Sequence, residues 1–270
     1  MNDLAGKVAI VTGAGRLRGI GRGAAVALAK LGADVVLTGT GRHPSTFPPD
    51  EKVVGWQDIE SSADQIRSLG CRALTVVTDV TDPRDVQMMV DKAMDEFGRV
   101  DILVNNAAYA RGPDRVSLLD LDPDILQKVV DVKIRGTFLC SKSVVKVMIE
   151  QGTGGKIVNV SSGAGKRGGV HALAYNATCF AQVGMTQSLA KELGPHKINV
   201  NCVCPGAVDT SRVDDVGRGD IWQALVRNIP VRRAGTDDEV GAIIAQLCTN
   251  ATSWITGQSI NVDGGGIMEH

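Results

Sequence analysis

Residues 7–21 read KVAIVTGAGRLRGIG, and this stretch decides the fold. It begins with a β-branched, mostly apolar run that has the length of a buried strand. A glycine-rich turn follows, and apolar residues then recur at three- and four-residue spacing through Leu31, which predicts a helix. A strand that leads through glycines into a helix is typical of a βαβ unit, in which the two strands are parallel.

The same two patterns alternate along the rest of the chain. Strand-length apolar runs lie at residues 34–38, 73–78, 100–105, 156–161, 198–203 and 258–262, in addition to 7–12. Between them lie amphipathic segments such as residues 86–97, which have the period of a helix. Because parallel strands need long crossover connections, this alternation predicts an α/β fold with a parallel sheet and helices on both faces.

Length and charge narrow the class of protein. The chain has 270 residues, of which 43% are hydrophobic, so we expect one domain over residues 1–270 with an irregular surface insertion at 39–55. The 29 Lys and Arg against 30 Asp and Glu leave a net charge of -1, which predicts no nucleic-acid or membrane partner. No apolar run has membrane length and the first residues do not resemble a signal peptide, so a cytoplasmic location is expected.

Six cysteines are spread through apolar segments: Cys71, Cys140, Cys179, Cys202, Cys204 and Cys248. Without an export signal, buried free thiols are the expected state. Cys202 and Cys204 point in the same direction on a predicted strand, but no second cysteine pair or histidine cluster completes a zinc site. We therefore predict no metal site.

The glycine-rich turn is the first candidate binding site. Its glycines, Gly13, Gly15, Gly19 and Gly21, let the backbone approach a pyrophosphate, and the following helix offers free amides and a favourable dipole. A tight strand-to-helix turn also needs glycine without any ligand. Here the turn follows a predicted strand and opens a predicted helix, which is the context that favours phosphate binding.

Motifs along essentially the whole chain resemble those of the short-chain dehydrogenase/reductase (SDR) family. They are TGAGRLRGIG at 12–21, Asp79-Val80, Asn105-Asn106-Ala107-Ala108, Ser162, Tyr175, Pro205-Gly206 with Thr210, and ITGQSINVDGG at 255–265. The resemblance implies a Rossmann-type, doubly wound parallel sheet of about seven strands that binds NAD or NADP. It also implies hydride transfer between the nicotinamide and a small-molecule secondary alcohol or ketone, and a homodimer or homotetramer.

The resemblance further implies a set of coenzyme-binding residues. They are Gly13, Gly15, Arg16, Arg18, Gly19, Ile20, Gly21, Arg42, Asp79, Val80, Asn106, Ala107, Tyr175, Pro205, Gly206, Val208 and Thr210. No acid closes the second strand, where a carboxylate would bind the ribose of NAD, whereas Arg16, Arg18 and Arg42 would suit the 2′-phosphate of NADP. We therefore expect NADP in preference to NAD, unless these arginines are solvated surface charges. Residues 207–228 are expected to form a partly polar lid over the substrate.

Two of the four catalytic positions that the resemblance implies are altered. Tyr175 is the expected acid/base and Ser162 the partner of the substrate oxygen, but Cys179 stands at the family's lysine position and Lys133 at its asparagine position. Loss of the cation beside Tyr175 predicts impaired proton transfer. One hypothesis is that Lys133 extends to the space beside Cys179 and restores that charge. Cys179 with His171 is an alternative nucleophile, although a packing role is commoner for a cysteine on a helix.

Two functions of different classes therefore remain open. The first is an active NAD(P)-dependent oxidoreductase that acts on a secondary alcohol or ketone. The second is a catalytically impaired subunit that stabilises or regulates an active paralogue in a hetero-oligomer. The presence of Ser162 and Tyr175 favours the first function, and the replaced lysine and asparagine favour the second.

Overall fold

Seven parallel strands form one sheet in the computed structural model, which describes residues 3–269. The strands are β1 (Val8–Val11), β2 (Asp34–Gly39), β3 (Ala73–Val77), β4 (Ile102–Asn105), β5 (Gly155–Val160), β6 (Ile198–Pro205) and β7 (Ser259–Val262). Their order in the sheet is β3-β2-β1-β4-β5-β6-β7, and each neighbouring pair is parallel. The predicted parallel sheet is confirmed, and each strand ends within two residues of its predicted limits.

Helices connect the strands on both sides of the sheet. They are α1 (Ile20–Lys30), α2 (Pro49–Val53), α3 (Ile59–Ser68), α4 (Pro83–Phe97), α5 (Pro123–Val130), α6 (Gly136–Gln151), α7 (Leu173–Leu193), α8 (Asp220–Arg227) and α9 (Asp237–Leu247). A π-helical segment, Asp131–Arg135, joins α5 to α6 without a break. Within residues 3–269, no helix combines the length and the apolarity that crossing a bilayer requires.

Alternate side chains of the strands enter two separate cores. Ala9 and Val11 of β1 point to the face covered by α1, α3 and α9, whereas Val8 and Ile10 point to the face covered by α4, α6 and α7. Such two-sided burial explains why the strands read as continuous apolar runs in the sequence. The predicted helices on both faces are confirmed.

The winding of the chain fixes the position of the site. From β1 the chain continues outward to β2 and β3, then crosses back to β4 on the other side of β1. A crevice therefore opens at the carboxyl ends of β1 and β4, where the two halves of the sheet diverge.

The insertion at 39–55 has more structure than its sequence indicates. A 3-10 turn at Pro44–Thr46 and the short α2 occupy much of it, and Phe47 and Glu51 are buried. The expectation of an irregular surface loop is wrong for these residues. Helices of three and five residues are too short to show a period in the sequence.

Candidate active site

The carboxyl ends of β1 and β4 fix the glycine-rich turn in place. The Asn106 side-chain amide donates hydrogen bonds to the carbonyl oxygens of Thr12 and Gly13, at 2.9 and 3.0 Å. The Thr12 hydroxyl accepts hydrogen bonds from the backbone amides of Asn106 and Ala107, both at 3.0 Å. Gly13 has a φ of 67°, and a Cβ there would lie 3.0 Å from the Ala107 Cα, so only glycine suits this position.

The first turn of α1 presents free donors to the crevice. Gly19 is the N-cap and supplies no side-chain cap, and the amides of Ile20 and Gly21 have no acceptor within the helix. The helix dipole adds partial positive charge at the same point. A Cβ on Gly21 would lie 2.5 Å from the Asn106 Nδ2, so glycine allows the helix to begin this close to β4. This turn therefore fits the diphosphate of a dinucleotide.

A cavity of about 590 Å³ lies over the turn and has the volume of a small-molecule site. Of the residues predicted to bind the coenzyme, Gly13, Gly15, Arg16, Arg18, Gly19, Ile20, Arg42, Asp79, Val80, Asn106, Ala107 and Thr210 line this cavity. Gly21, Tyr175, Pro205, Gly206 and Val208 are not part of its lining. Gly206 packs instead against Asp263, whose Cβ lies 2.6 Å from the position of a Cβ on this glycine.

The insertion packs on the glycine turn and neutralises Arg42. The Arg42 guanidinium donates to Glu51 Oε2 at 2.8 Å, to Asp58 Oδ1 at 3.0 Å and to the Gly15 carbonyl at 2.8 Å. The Glu51 side chain is 0% exposed, so this ion pair is shielded from water. The predicted contact of Arg42 with a 2′-phosphate is not supported, because a carbonyl and two carboxylates already occupy its donors.

Asp58 places a carboxylate on the wall of the cavity. This residue was not named in the sequence analysis. It lines the cavity beside Gly39, the last residue of β2, and its φ is 53°. A positive φ is uncommon for a residue with a Cβ and occurs at sites where the surroundings hold the strain. An acidic residue was sought directly at the end of β2, whereas Asp58 follows the insertion in the sequence.

Arg18 connects the glycine turn to two other segments. Its guanidinium pairs with Asp50 at 2.7 Å, with Asp214 at 2.8 Å and with Asp209 at 3.2 Å. Hydrogen bonds to Asp50 and Asp214 outweigh the effect of burial and raise the pKa of Arg18. Arg18 therefore joins the insertion to the predicted lid, and its charge is matched by these carboxylates.

Ser162 and Tyr175 meet beyond the carboxyl end of β5. Ser162 follows β5 and accepts a hydrogen bond from the Ala164 amide at 3.2 Å, which caps the turn Gly163–Gly165. Tyr175 lies in the first turn of α7, within hydrogen-bonding reach of the Ser162 hydroxyl, and this contact lowers the pKa of its phenol by less than burial raises it. The structure thus brings together the two residues that the sequence analysis named as the proton donor and the substrate-oxygen partner.

Burial nevertheless raises the pKa of Tyr175 above its ordinary value, and the nearby Cys179 thiol acts in the same direction. The charges of Arg212 and Arg115 oppose this shift. The Arg115 Cζ lies 4.0 Å from the centre of the tyrosine ring, and the Arg212 Cζ lies 5.3 Å from it. Two arginines therefore stand beside the catalytic candidate, and neither was named in the sequence analysis.

Lys133 occupies a different position from the one hypothesised. Its side chain is buried and its Nζ donates to the Val160 carbonyl at 2.5 Å. Burial lowers the pKa of Lys133, and the Cys179 thiol is close enough to oppose this. Lys133 thus lies near Cys179, but the cations that shift the Tyr175 pKa are Arg212 and Arg115. The idea that Lys133 supplies the missing charge at Tyr175 is not supported.

Cys179 is a packing residue in this arrangement. Its side chain is 0% exposed, and its carbonyl oxygen accepts a hydrogen bond from the Ser161 hydroxyl at 2.8 Å. His171 lies in the exposed segment before α7. The alternative of a Cys179 nucleophile is not supported, because a fully covered thiol cannot reach a substrate.

Comparison with known proteins agrees with this geometry. The sequence model of the enoyl-(acyl carrier protein) reductase family matches residues 13–266. A short-chain dehydrogenase/reductase of Armillaria gallica is 34% identical over 98% of this chain and 97% of its own. A 2-dehydro-3-deoxy-D-gluconate 5-dehydrogenase of Dickeya dadantii is 33% identical, with 97% of this chain and 96% of its own covered. The crystal structure of acetoin dehydrogenase from Enterobacter cloacae superposes with a TM-score of 0.79 at 34% identity, covering 96% of this chain and 95% of its own.

The fold and the cleft together define an α/β oxidoreductase of the dinucleotide-binding class. The chain belongs to the short-chain dehydrogenase/reductase family. Enzymes of this family use a nicotinamide dinucleotide for oxidoreduction, so the predicted NAD or NADP chemistry holds at the level of the family.

Proposed function

We propose that this chain is an active oxidoreductase that reduces a ketone to a secondary alcohol, with Tyr175 as the proton donor and Ser162 as the substrate-oxygen partner. The observation that carries this proposal is the meeting of Ser162, Tyr175 and two arginines beyond the carboxyl end of β5. A reduced nicotinamide, when bound, supplies the hydride. Its diphosphate would be held by the amides of the glycine-rich turn, with Arg16 on the wall of the same cavity.

The protonation of Tyr175 supports reduction as the direction at neutral pH. Burial raises the pKa of the phenol, so Tyr175 keeps its proton and can donate it to a carbonyl oxygen. The Ser162 hydroxyl can donate a hydrogen bond to the same oxygen as its negative charge develops. Arg115 and Arg212 lie close enough to stabilise the phenolate that remains after proton transfer. The two arginines therefore take over a role that the resemblance assigned to a lysine.

We also propose NAD in place of the NADP expected from the sequence. The NADP prediction assumed that Arg16, Arg18 and Arg42 were available to a phosphate, but Arg18 and Arg42 are paired with carboxylates. Asp58 lies on the cavity wall beside the end of β2, where a carboxylate would accept hydrogen bonds from a ribose diol. Asp58 also accepts hydrogen bonds from Arg42, but the two oxygens of a carboxylate can accept about four, so acceptor capacity remains for the ribose.

Calorimetric titration with NADH and NADPH tests the coenzyme proposal without a known substrate. We expect NADH to bind more tightly, and Asp58→Asn to weaken NADH binding by about tenfold, because a hydrogen bond to a charged group is lost. Asp64→Asn is the matched control, since this side chain is 70% exposed on α3. Tighter binding of NADPH by the unmodified chain would reverse the proposal.

Measurements of activity distinguish the proposed enzyme from the alternative of a non-catalytic subunit. With a panel of small ketones, Tyr175→Phe should lower the rate of coenzyme oxidation by about a hundredfold or more, as expected for loss of an acid catalyst. Trp254→Phe, a change at a side chain that is 99% exposed, should leave the rate unchanged. Coenzyme binding without turnover of any ketone, together with co-purification of a related chain, would favour the regulatory subunit.

Assembly and location are part of the same proposal. Phe138 on α6 and Phe180 on α7 are about half exposed, and apolar side chains of this size on a free surface favour contact with a second copy. We propose a homodimer or homotetramer in the cytoplasm, and sedimentation of the purified chain measures the assembly.

A further inference from the structure

The surroundings of Tyr175 contain more positive than negative charge. Arg115 lies between β4 and α5, and Arg212 lies in the 3-10 segment Ser211–Val216 beyond β6, so two separate segments bring them to one ring. Arg111 is a third arginine, and it lines the adjoining cavity together with Arg212. Lowering the pKa of one phenol does not by itself explain a cluster of three guanidinium groups near the catalytic tyrosine.

The carboxylates of this region do not match the arginines one for one. Arg111 forms an ion pair with Asp215, and the nearest carboxylate oxygen to Arg115 is that of Asp114, 3.5 Å from Nε. That distance is too long for a strong hydrogen bond, and the Arg115 Nε is buried without an acceptor. Among residues 3–269, Arg212 has no carboxylate partner and donates only to the Tyr109 carbonyl.

Holding these groups together has a free-energy cost. Burial lowers the pKa of Arg115; Asp114 and Tyr175 oppose this effect, and the charges of Arg212 and Arg111 add to it. A buried donor without an acceptor adds to this cost. An anion placed between Arg115 and Arg212 would screen the repulsion and accept the unused hydrogen bonds, and the planar guanidinium is suited to a carboxylate.

We propose that the substrate reduced at Tyr175 is an oxo acid, and that Arg115 and Arg212 bind its carboxylate. This inference rests on the proposed function, because it places the carbonyl group at Tyr175 and Ser162. The carbonyl carbon gains the hydride of the reduced nicotinamide and its oxygen gains the phenolic proton of Tyr175, which water then replaces. An oxo acid thus becomes a hydroxy acid while the nicotinamide is oxidised.

Matched pairs of substrates test the inference directly. Acetoacetate and pyruvate are compared with their methyl esters, which keep the carbonyl group and lose the charge. We expect the acid to have the larger kcat/KM by about 10- to 100-fold, as expected for a charge-assisted hydrogen bond. Arg115→Gln and Arg212→Gln should each reduce this acid-to-ester ratio towards one. Arg84→Gln, at a side chain that is 90% exposed, is the control and should leave the ratio unchanged.

The acid-to-ester ratio of kcat/KM distinguishes binding of the substrate carboxylate from an effect of the arginines on the Tyr175 pKa. If the arginines only tune the phenol, their replacement slows acid and ester equally, and the unchanged ratio would overturn the inference. Binding is measured independently by calorimetry of each acid and ester with the chain and oxidised coenzyme, where no turnover occurs. Binding of the acid alone, lost in Arg115→Gln, would support the arginine site even if the chain reduced no ketone. Equal binding of acid and ester would overturn the inference even in an active reductase.

Discussion

At the scale of single residues, the replaced lysine shows how one charge can be supplied from another position. The family position holds Cys179, which is fully buried, and the cations beside Tyr175 come from segments far away in the sequence. A guanidinium remains charged at any physiological pH, whereas burial lowers the pKa of an amine such as Lys133. Arginine is therefore the more dependable cation in this partly buried site.

The titration of Tyr175 can be observed in isolation because the chain has two tyrosines, and Tyr109→Phe removes the other one. Since burial raises the pKa of Tyr175, its phenolate absorption should develop only above the ordinary tyrosine value of about 10. Ketone reduction needs the protonated phenol, so its rate should hold through neutral pH and fall as pH rises through that pKa. Alcohol oxidation needs the phenolate and should increase over the same interval.

Replacing an arginine tests the direction in which its charge shifts the Tyr175 pKa. The charges of Arg212 and Arg115 lower the Tyr175 pKa, so Arg212→Gln in the Tyr109→Phe background should move the absorption change to higher pH. Ultraviolet difference spectra against pH measure both variants. A Tyr175 transition near neutral pH, or no movement with Arg212→Gln, would contradict the assignment of these charges.

At the scale of elements, the insertion acts as a brace for the glycine-rich turn. Besides the Arg42 contacts, Glu51 Oε1 accepts a hydrogen bond from the Leu17 amide at 3.0 Å, and Trp56, just after the insertion, donates its Nε1 hydrogen to the Gly15 carbonyl at 2.7 Å. These bonds hold the Gly15 carbonyl and the Leu17 amide of the turn in fixed positions. The insertion therefore helps to fix the shape of the glycine-rich turn.

Glu51→Gln should lower the free energy of unfolding by about 3 kcal/mol, because it removes the buried carboxylate that pairs with the mostly covered Arg42. Glu60→Gln provides the matched control, since Glu60 also pairs with an arginine but is 44% exposed, and it should cost less than about 1 kcal/mol. Urea denaturation measures both values. Equal losses in the two variants would show that the insertion contributes no buried ion pair.

The strands and helices could be predicted from the sequence to a much greater extent than the site. Runs such as residues 34–38 are continuous and β-branched because both faces of the strand are covered, and this pattern is visible in the sequence alone. Arg115 and Arg212 could not be found in this way, since each lies in a non-periodic segment and only the fold brings both to Tyr175. Asp58 could not be found either, because the insertion separates it in the sequence from the end of β2, beside which it lies in the fold.

At the scale of the whole molecule, coenzyme binding and folding share the same contacts. The diphosphate site exists only when the ends of β1 and β4 and the start of α1 are assembled, as the Asn106 bonds to Thr12 and Gly13 show. A ligand that binds only the folded chain stabilises it by mass action. NADH at a hundred times its Kd should therefore add about 2.7 kcal/mol to the free energy of unfolding.

Two glycines with the same backbone conformation allow this linkage to be tested. Gly13 and Gly152 both have a φ of 67°, but a Cβ on Gly13 would lie 3.0 Å from the Ala107 Cα, whereas a Cβ on Gly152 would meet nothing within 4 Å. Replacement of either by alanine should lower the melting temperature, because alanine disfavours positive φ. In the unmodified chain and in Gly152→Ala, NADH should raise Tm by about 5–10 °C. In Gly13→Ala, the displaced turn should reduce that increase to about half or less, whereas an undiminished increase would place the coenzyme away from the glycine-rich turn.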